Sequence, residues 1–149
     1  MHMPPIKAVA LDLEGTLISN AMSQFPRKGL FQFLERCGLH LPRVVLYTAV
    51  GEPRAREIVQ GLVDDGLAPD WFASIEYISW DGPHKDLHLI PMCLAQDALL
   101  VDDNPDYVHP EQSTQWVPIK EFASPYHPDD ELQRIWEVLQ RLVLQSKKG

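Results

Sequence analysis

The sequence predicts an α/β fold: a doubly wound parallel sheet in three layers. Three observations predict it. Short runs that are apolar throughout alternate with longer stretches whose apolar residues recur every three to four positions. That is the pattern of buried parallel strands joined by helices. Each of three such runs ends abruptly on a polar residue, at Asp12, Thr48 and Asp102. The chain has 149 residues, 45% of them hydrophobic. That is the length of a single domain, expected over 1–149, with enough apolar material to bury a core without help from disulfides or a structural metal.

Taken in order, Ala8-Val9-Ala10-Leu11 reads as the first strand, within 7–13, and Gly15-Thr16 breaks it. A helix start is predicted between Pro26 and Gly29, with Leu30, Phe31, Phe33 and Leu34 as its apolar face and Gly38 as its stop. Val44-Val45-Leu46-Tyr47 is the second strand. Pro53 suits the first turn of the helix that follows, where Ile58, Leu62 and Val63 face inward and Gly66 closes. A third strand is expected over 74–78, a fourth at Leu99-Leu100-Val101 and a fifth over 114–119, where Pro118 points to a sheet edge. The clearest helix is the last. Asp129 and Asp130 suit its N-terminus, Leu132, Ile135, Trp136, Leu139, Leu142 and Val143 form one face, and Lys147 and Lys148 suit its C-terminal end. Only about a dozen residues separate Thr16 from the first helix, so no cap domain is expected.

The charge narrows the function. A net charge of −8 is the wrong sign for a general nucleic-acid binder. It allows a phosphorylated substrate provided the site supplies local positive charge. No apolar run is long enough to span a bilayer, and no signal peptide is evident, so a cytoplasmic location without membrane association is expected. Cys37 and Cys93 make neither a CxxC pair nor a zinc spacing, and read as reduced thiols. His84 and His88 stand i, i+4 around Lys85, but with no third ligand near them zinc is the minor reading. His84 is a secondary candidate for substrate contact, and Trp80 for the mouth of the site.

In a parallel sheet the ligand site lies beyond the carboxyl ends of the strands. The polar residues that end three strands therefore fall on one edge. Phosphoryl transfer through an aspartate needs a nucleophilic carboxylate, a hard cation held by carboxylates, a second carboxyl for proton transfer, and donors for the phosphoryl oxygens. Asp12, Glu14, Thr48, Lys85 and the pair Asp102-Asp103 supply those types, and Gly15 and Ala49 would add backbone amides beside them.

The residues also resemble a known family. Asp12-Leu13-Glu14-Gly15-Thr16-Leu17 is similar to the first motif of the haloacid dehalogenase superfamily, Leu46-Tyr47-Thr48 to the second, Lys85 to the third, and Leu100-Val101-Asp102-Asp103 to the fourth. Lys85-Asp86-Leu87 and Asn104-Pro105-Asp106-Tyr107 most resemble the NLI-interacting-factor-like subgroup, small capless phosphatases of the RNA polymerase C-terminal domain. Val117-Pro118-Ile119 and Asp129-Asp130-Glu131-Leu132 resemble that subgroup's closing segment.

The resemblance implies a Mg2+-dependent phosphomonoester hydrolase that works through a phosphoryl-aspartate. Asp12 would be nucleophile and metal ligand, and Glu14 the acid–base, its carbonyl a further ligand. Thr48 and Lys85 would hold phosphoryl oxygens. Asp103 is favoured over Asp102 as the direct metal ligand, and the sequence does not separate them. Three features depart from the subgroup. Glu14 stands where Asp is usual, as it does in enolase-phosphatases of the superfamily. Pro26-Arg27-Lys28-Gly29 replaces Arg-Pro-Gly, and the hairpin after the first motif is missing. The alternative is a binding domain that keeps the fold and has lost the chemistry. A phosphorylated substrate is the expected partner, protein or small molecule, and an open site would admit a phosphoprotein or another bulky phosphorylated group.

Overall fold

The computed structural model describes residues 5–148, so the first four and the last residue of the expected domain lie outside the description. Five strands form one parallel sheet: β1 (Ala8–Leu11), β2 (Val44–Leu46), β3 (Glu76–Tyr77), β4 (Ala98–Asp102) and β5 (Trp116–Pro118). Their spatial order is β3-β2-β1-β4-β5. The α-helices are α1 (Leu30–His40), α2 (Glu52–Asp64) and α3 (Glu131–Lys148).

The order explains the layers. From β1 the chain steps outward to β2 and β3, then returns past β1 to β4 and β5. Parallel crossovers keep one hand, so connections that move in opposite directions cover opposite faces. On one face, α1, α2 and α3 pack Phe33, Leu34, Ile58, Leu62, Ile135 and Leu139 against Val9, Leu11, Leu46 and Val101. On the other, Ala8, Ala10, Val45, Tyr47 and Leu100 are covered by Ile78, Leu87, Ile90 and Ala95 from the β3–β4 connection. That third layer consists of short three-ten turns, at Leu87–Leu89 and Ala95–Asp97, rather than α-helices. Pro83 and Pro91 interrupt the segment, and Pro cannot donate within a helix.

The reversal falls between β1 and β4. There Leu11 pairs with Leu46 on one side and Val101 on the other, and a crevice opens beyond the strand ends. Asp12 and Asp102-Asp103 stand at that crevice.

The predicted elements all form; β4 extends one residue past the expected 99–101 at each end, and the other strands are shorter than expected. β3 covers only two residues, because Asp70–Ser74 turns as a three-ten helix before it. β5 is preceded by another three-ten stretch at Pro110–Gln115, and it is an edge strand, as Pro118 indicated. Gly38 is not the stop of α1, which runs on to His40. A Cβ at Gly38 would lie 2.5 Å from Trp71 Nε1. The glycine admits the indole, which donates to the Leu34 carbonyl at 3.2 Å. No inserted domain appears among the described residues, and none of the helices is long and apolar enough to cross a membrane.

Candidate active site

The first residue past β1 still belongs to the ladder: the Asp12 N–H donates to the Val101 carbonyl at 3.0 Å. Its carboxylate therefore has a fixed origin. The chain then turns tightly, with Leu17 N–H on the Leu13 carbonyl at 2.9 Å and Gly15 at φ 75. The glycine is needed twice over. That backbone region disfavours a side chain, and a Cβ there would come within 2.6 Å of Asp103 Oδ2. The turn carries Thr16 back beneath the aspartate, where its hydroxyl is 2.8 Å from Asp12 Oδ2 and 3.3 Å from Asp103 Oδ1.

Lys85 enters from the opposite layer. Its side chain has no solvent exposure, and Nζ donates to Asp12 Oδ1 at 2.8 Å and to Asp102 Oδ2 at 2.6 Å. The ammonium also lies 4.7 Å from the centroid of the Tyr107 ring. The Lys85 N–H donates to the Tyr107 carbonyl at 2.8 Å, so the two residues hold each other in register. Asp102 has both carboxylate oxygens engaged, one by Lys85 and the other by the Asn104 N–H at 2.9 Å. Among the described residues, Asp103 accepts only from Thr16. Asp12, Asp102 and Asp103 each bring a carboxylate oxygen within 4.8 Å of the others.

Burial governs the electrostatics. It is the largest influence on Asp12 and pushes that carboxyl well above the usual range. Lys85 pulls it down, and the neighbouring Asp102 pushes it up again. Asp102 is raised for the same first reason, against the pull of Lys85. Burial disfavours the Lys85 ammonium, but Asp12 and Asp102 outweigh it, and the lysine ends above its ordinary value. With all groups ionised, three carboxylates face one ammonium. Two negative charges remain uncompensated, which is the charge of one divalent cation.

A cleft of about 240 Å³ lies over this cluster, lined by Asp12, Glu14, Gly15, Ser19, Ala49, Asp103, Asn104, Tyr107 and Glu121. A larger depression of about 350 Å³, between α1 and the start of α3, is lined by Lys28, Arg36 and Asp130 among others and contains none of these groups. The chemistry, not the volume, marks the first as the site. Of the residues the sequence singled out, Asp12, Lys85, Asp102 and Asp103 are in one cluster, and Glu14, Gly15 and Ala49 line its cleft. Thr48 stands next to Ala49 and is not among the residues that line the cleft. It is buried, its Oγ accepts the Val50 N–H at 3.1 Å, and its hydroxyl proton remains to donate. The Trp80 indole donates to the Thr48 carbonyl at 2.7 Å and packs edge-on to Tyr107, so Trp80 supports the wall rather than lining the mouth. His84 stands edge-on to His109, and His88 pairs with Asp86; neither is in the carboxylate cluster.

Two contributors were missed in the sequence. Thr16 sits four residues after Asp12 behind a glycine, a spacing that a tight turn brings back onto the carboxylate. In the sequence Arg27 stands out only as part of the Pro26-Arg27-Lys28-Gly29 run at a helix start, where the subgroup has Arg-Pro-Gly, with no role assigned to it. It is 1% exposed. Its guanidinium donates to the Gly15 and Thr16 carbonyls at 3.3 and 3.2 Å, to the Lys120 carbonyl at 2.7 Å, and to Asp129 Oδ2 at 2.8 Å. It thus ties the turn after Asp12 to the entry of α3.

The profile of the NLI interacting factor-like phosphatase family matches residues 7–148. The chain belongs to this family. Among solved structures it is similar to the fission yeast RNA polymerase II CTD phosphatase Fcp1 bound to beryllium fluoride, with a TM-score of 0.55 and 15% sequence identity. That match covers 96% of this chain and 52% of the other, so this chain spans about half the length of that protein, and the likeness is one of fold. No curated protein matches it in sequence. The capless haloacid dehalogenase-like fold and the phosphatase family expected from the motifs are thus both found.

Proposed function

We propose that the protein is a Mg2+-dependent phosphomonoester hydrolase that works through a phosphoryl-aspartate on Asp12. The observation that carries this reading is the buried Asp12–Lys85–Asp102 cluster with Asp103 beside it, engaged among the described residues by the Thr16 hydroxyl alone. The donor set fits the cation: hard carboxylate oxygens only, with two charges left to balance. Asp12 and Asp103 would hold it, with the Glu14 carbonyl. Asp102, saturated by Lys85 and the Asn104 N–H, would fix Lys85 from behind. Bound there, Mg2+ supplies charge to offset the repulsion between carboxylate and phosphate.

The chain's own residues account for the rest. Asp12 attacks phosphorus as the bond to the leaving oxygen breaks, giving the aspartyl phosphate. Glu14 delivers a proton to that oxygen, then takes one from the water that cleaves the acyl phosphate and restores Asp12. Lys85 and the Thr48 hydroxyl stabilise the phosphoryl oxygens, with the Gly15 and Ala49 amides beside them. Among the described residues nothing caps the cleft, so the substrate is a phosphoprotein or another bulky phosphorylated group rather than a small enclosed metabolite. The free thiols of Cys37 and Cys93 suit a reducing cytoplasm, and the net charge of −8 disfavours nucleic acid as a partner.

Turnover of p-nitrophenyl phosphate with and without Mg2+ tests the reading. Hydrolysis that requires the cation supports it. No hydrolysis of aryl phosphates or phosphopeptides with Mg2+ present sinks it.

A further inference from the structure

Glu14 has one more rotatable bond than the aspartate usual at its position, so its carboxylate has more freedom to lose before it acts. In this structure that freedom is already removed. Glu14 Oε2 accepts the Ala21 N–H at 2.7 Å. Ala21 is in turn held from its other side, its carbonyl accepting from Arg54 Nη2 at 2.8 Å and Gln24 Nε2 at 3.2 Å. The turn around it is stiff. Asn20 Oδ1 accepts the N–H groups of Met22 and Ser23, both at 2.9 Å, while Asn20 Nδ2 donates to the Tyr126 hydroxyl at 3.1 Å. Residues 18–26 close through the antiparallel bridge of Ile18 with Pro26. The missing hairpin is thus replaced by a compact turn whose inner N–H points at Glu14.

We propose that Arg54, on α2, is a positioning residue that sets the Glu14 carboxylate through Ala21. The inference rests on the reading of Glu14 as the acid–base group. Arg54 reaches from the first turn of α2 across to Ala21, and among the described residues it makes no hydrogen bond or ion pair with a residue lining the cleft. Its side chain is 47% exposed and is steadied at 3.7 Å by Glu57, so its removal leaves no buried charge unpaired. By fixing Ala21 it fixes the donor that engages Oε2. Oε1 is then the oxygen presented to the cleft, and the proton exchanged with the leaving group is carried there. Glu in place of Asp becomes workable because the turn holds the longer stem.

The test is steady-state kinetics of the full chain with Mg2+, on p-nitrophenyl phosphate and on phenyl and benzyl phosphates, whose leaving groups need protonation increasingly. Positioned proton transfer supplies roughly 10²–10⁴-fold. Arg54→Ala, which loosens the carboxylate without removing it, is expected to lower kcat/KM on benzyl phosphate about tenfold, since kcat/KM reports formation of the aspartyl phosphate and departure of the leaving group. On p-nitrophenyl phosphate the loss in kcat/KM is expected to be less than about twofold. Arg54→Lys, which keeps a donor, restores most of the loss. In a Glu14→Gln background Arg54→Ala adds nothing, since the two act through one group. An equal loss on all three substrates, no loss at all, or an additive effect in the Glu14→Gln background overturns the assignment of Arg54. A Glu14→Gln variant with no leaving-group dependence overturns the acid–base role instead, and the inference with it. The same holds if the unmodified protein hydrolyses none of the three.

Discussion

Arg27→Met is the perturbation whose cost the structure allows to be worked through. The guanidinium makes two short charge-assisted bonds, to the Lys120 carbonyl at 2.7 Å and Asp129 Oδ2 at 2.8 Å. Bonds of that kind contribute about 1.5–3 kcal/mol each. The contacts to Gly15 and Thr16 are longer, at 3.3 and 3.2 Å, and Gly15 O also accepts the Phe122 N–H at 2.8 Å, so they add little. Asp129 is 30% exposed and regains water when its partner goes, which places the total towards the lower end, at about 3–4 kcal/mol. For a chain of this length each kcal/mol shifts Tm by roughly 2–4 °C, so a fall of about 10 °C is expected. Thermal unfolding followed by circular dichroism measures it. Arg27→Lys should recover only part, because an ammonium cannot fork between three carbonyls and a carboxylate. Turnover measured well below either Tm should also fall, since Thr16 loses its register against Asp12. A Tm within about 2 °C of the unmodified protein, or roughly 1 kcal/mol, would refute the view of Arg27 as the tie between the turn and α3.

Two further outcomes follow. Lys85→Ala removes the ammonium between Asp12 and Asp102, and by analogy with the loss of one oxyanion donor, roughly 3 kcal/mol, kcat/KM should drop about a hundredfold; a drop below about tenfold would place Lys85 outside the chemistry. Glu131 is held down to about 2, first by the Arg134 side chain and also by the Lys120 N–H. Its folded value lies below its unfolded one, so it stabilises the fold above about pH 4.5 and that contribution is lost as pH falls towards 2; Tm measured through that window should fall less steeply in Glu131→Gln.

Much of this site was legible because a buried parallel strand tolerates no polar residue until it ends. Ala8 to Leu11 and Ala98 to Val101 are apolar throughout, so Asp12 and Asp102 had to mark strand ends, and strand ends share one edge. Lys85 was legible by resemblance alone. Its surroundings, with Gly82, Pro83 and Asp86, give no hint of a fully buried side chain. The burial of Arg27 was out of reach for a related reason. Its acceptors are mostly backbone carbonyls, which every sequence has, and its one charged partner is 102 residues away. Gly38 misled because a glycine that ends a helix and one that admits Trp71 look alike until the indole is placed. The three-ten layer beneath Ala8, Ala10 and Leu100 has no periodicity to read. Glu14, by contrast, was legible as a carboxyl but not as a tethered one, since its partner is a backbone N–H in a turn set by Asn20.

The central claim is that Asp12 itself carries the phosphoryl group. Acid-quenched single turnover of an aryl phosphate with Mg2+, in the Glu14→Gln variant that slows release, tests this directly by the mass of the intact chain and of its fragments. The account predicts a phosphoryl adduct on the fragment containing Asp12, labile to hydroxylamine, and neither adduct nor turnover in Asp12→Asn. Near-normal hydrolysis by Asp12→Asn, with no adduct on that fragment in any variant, would contradict it.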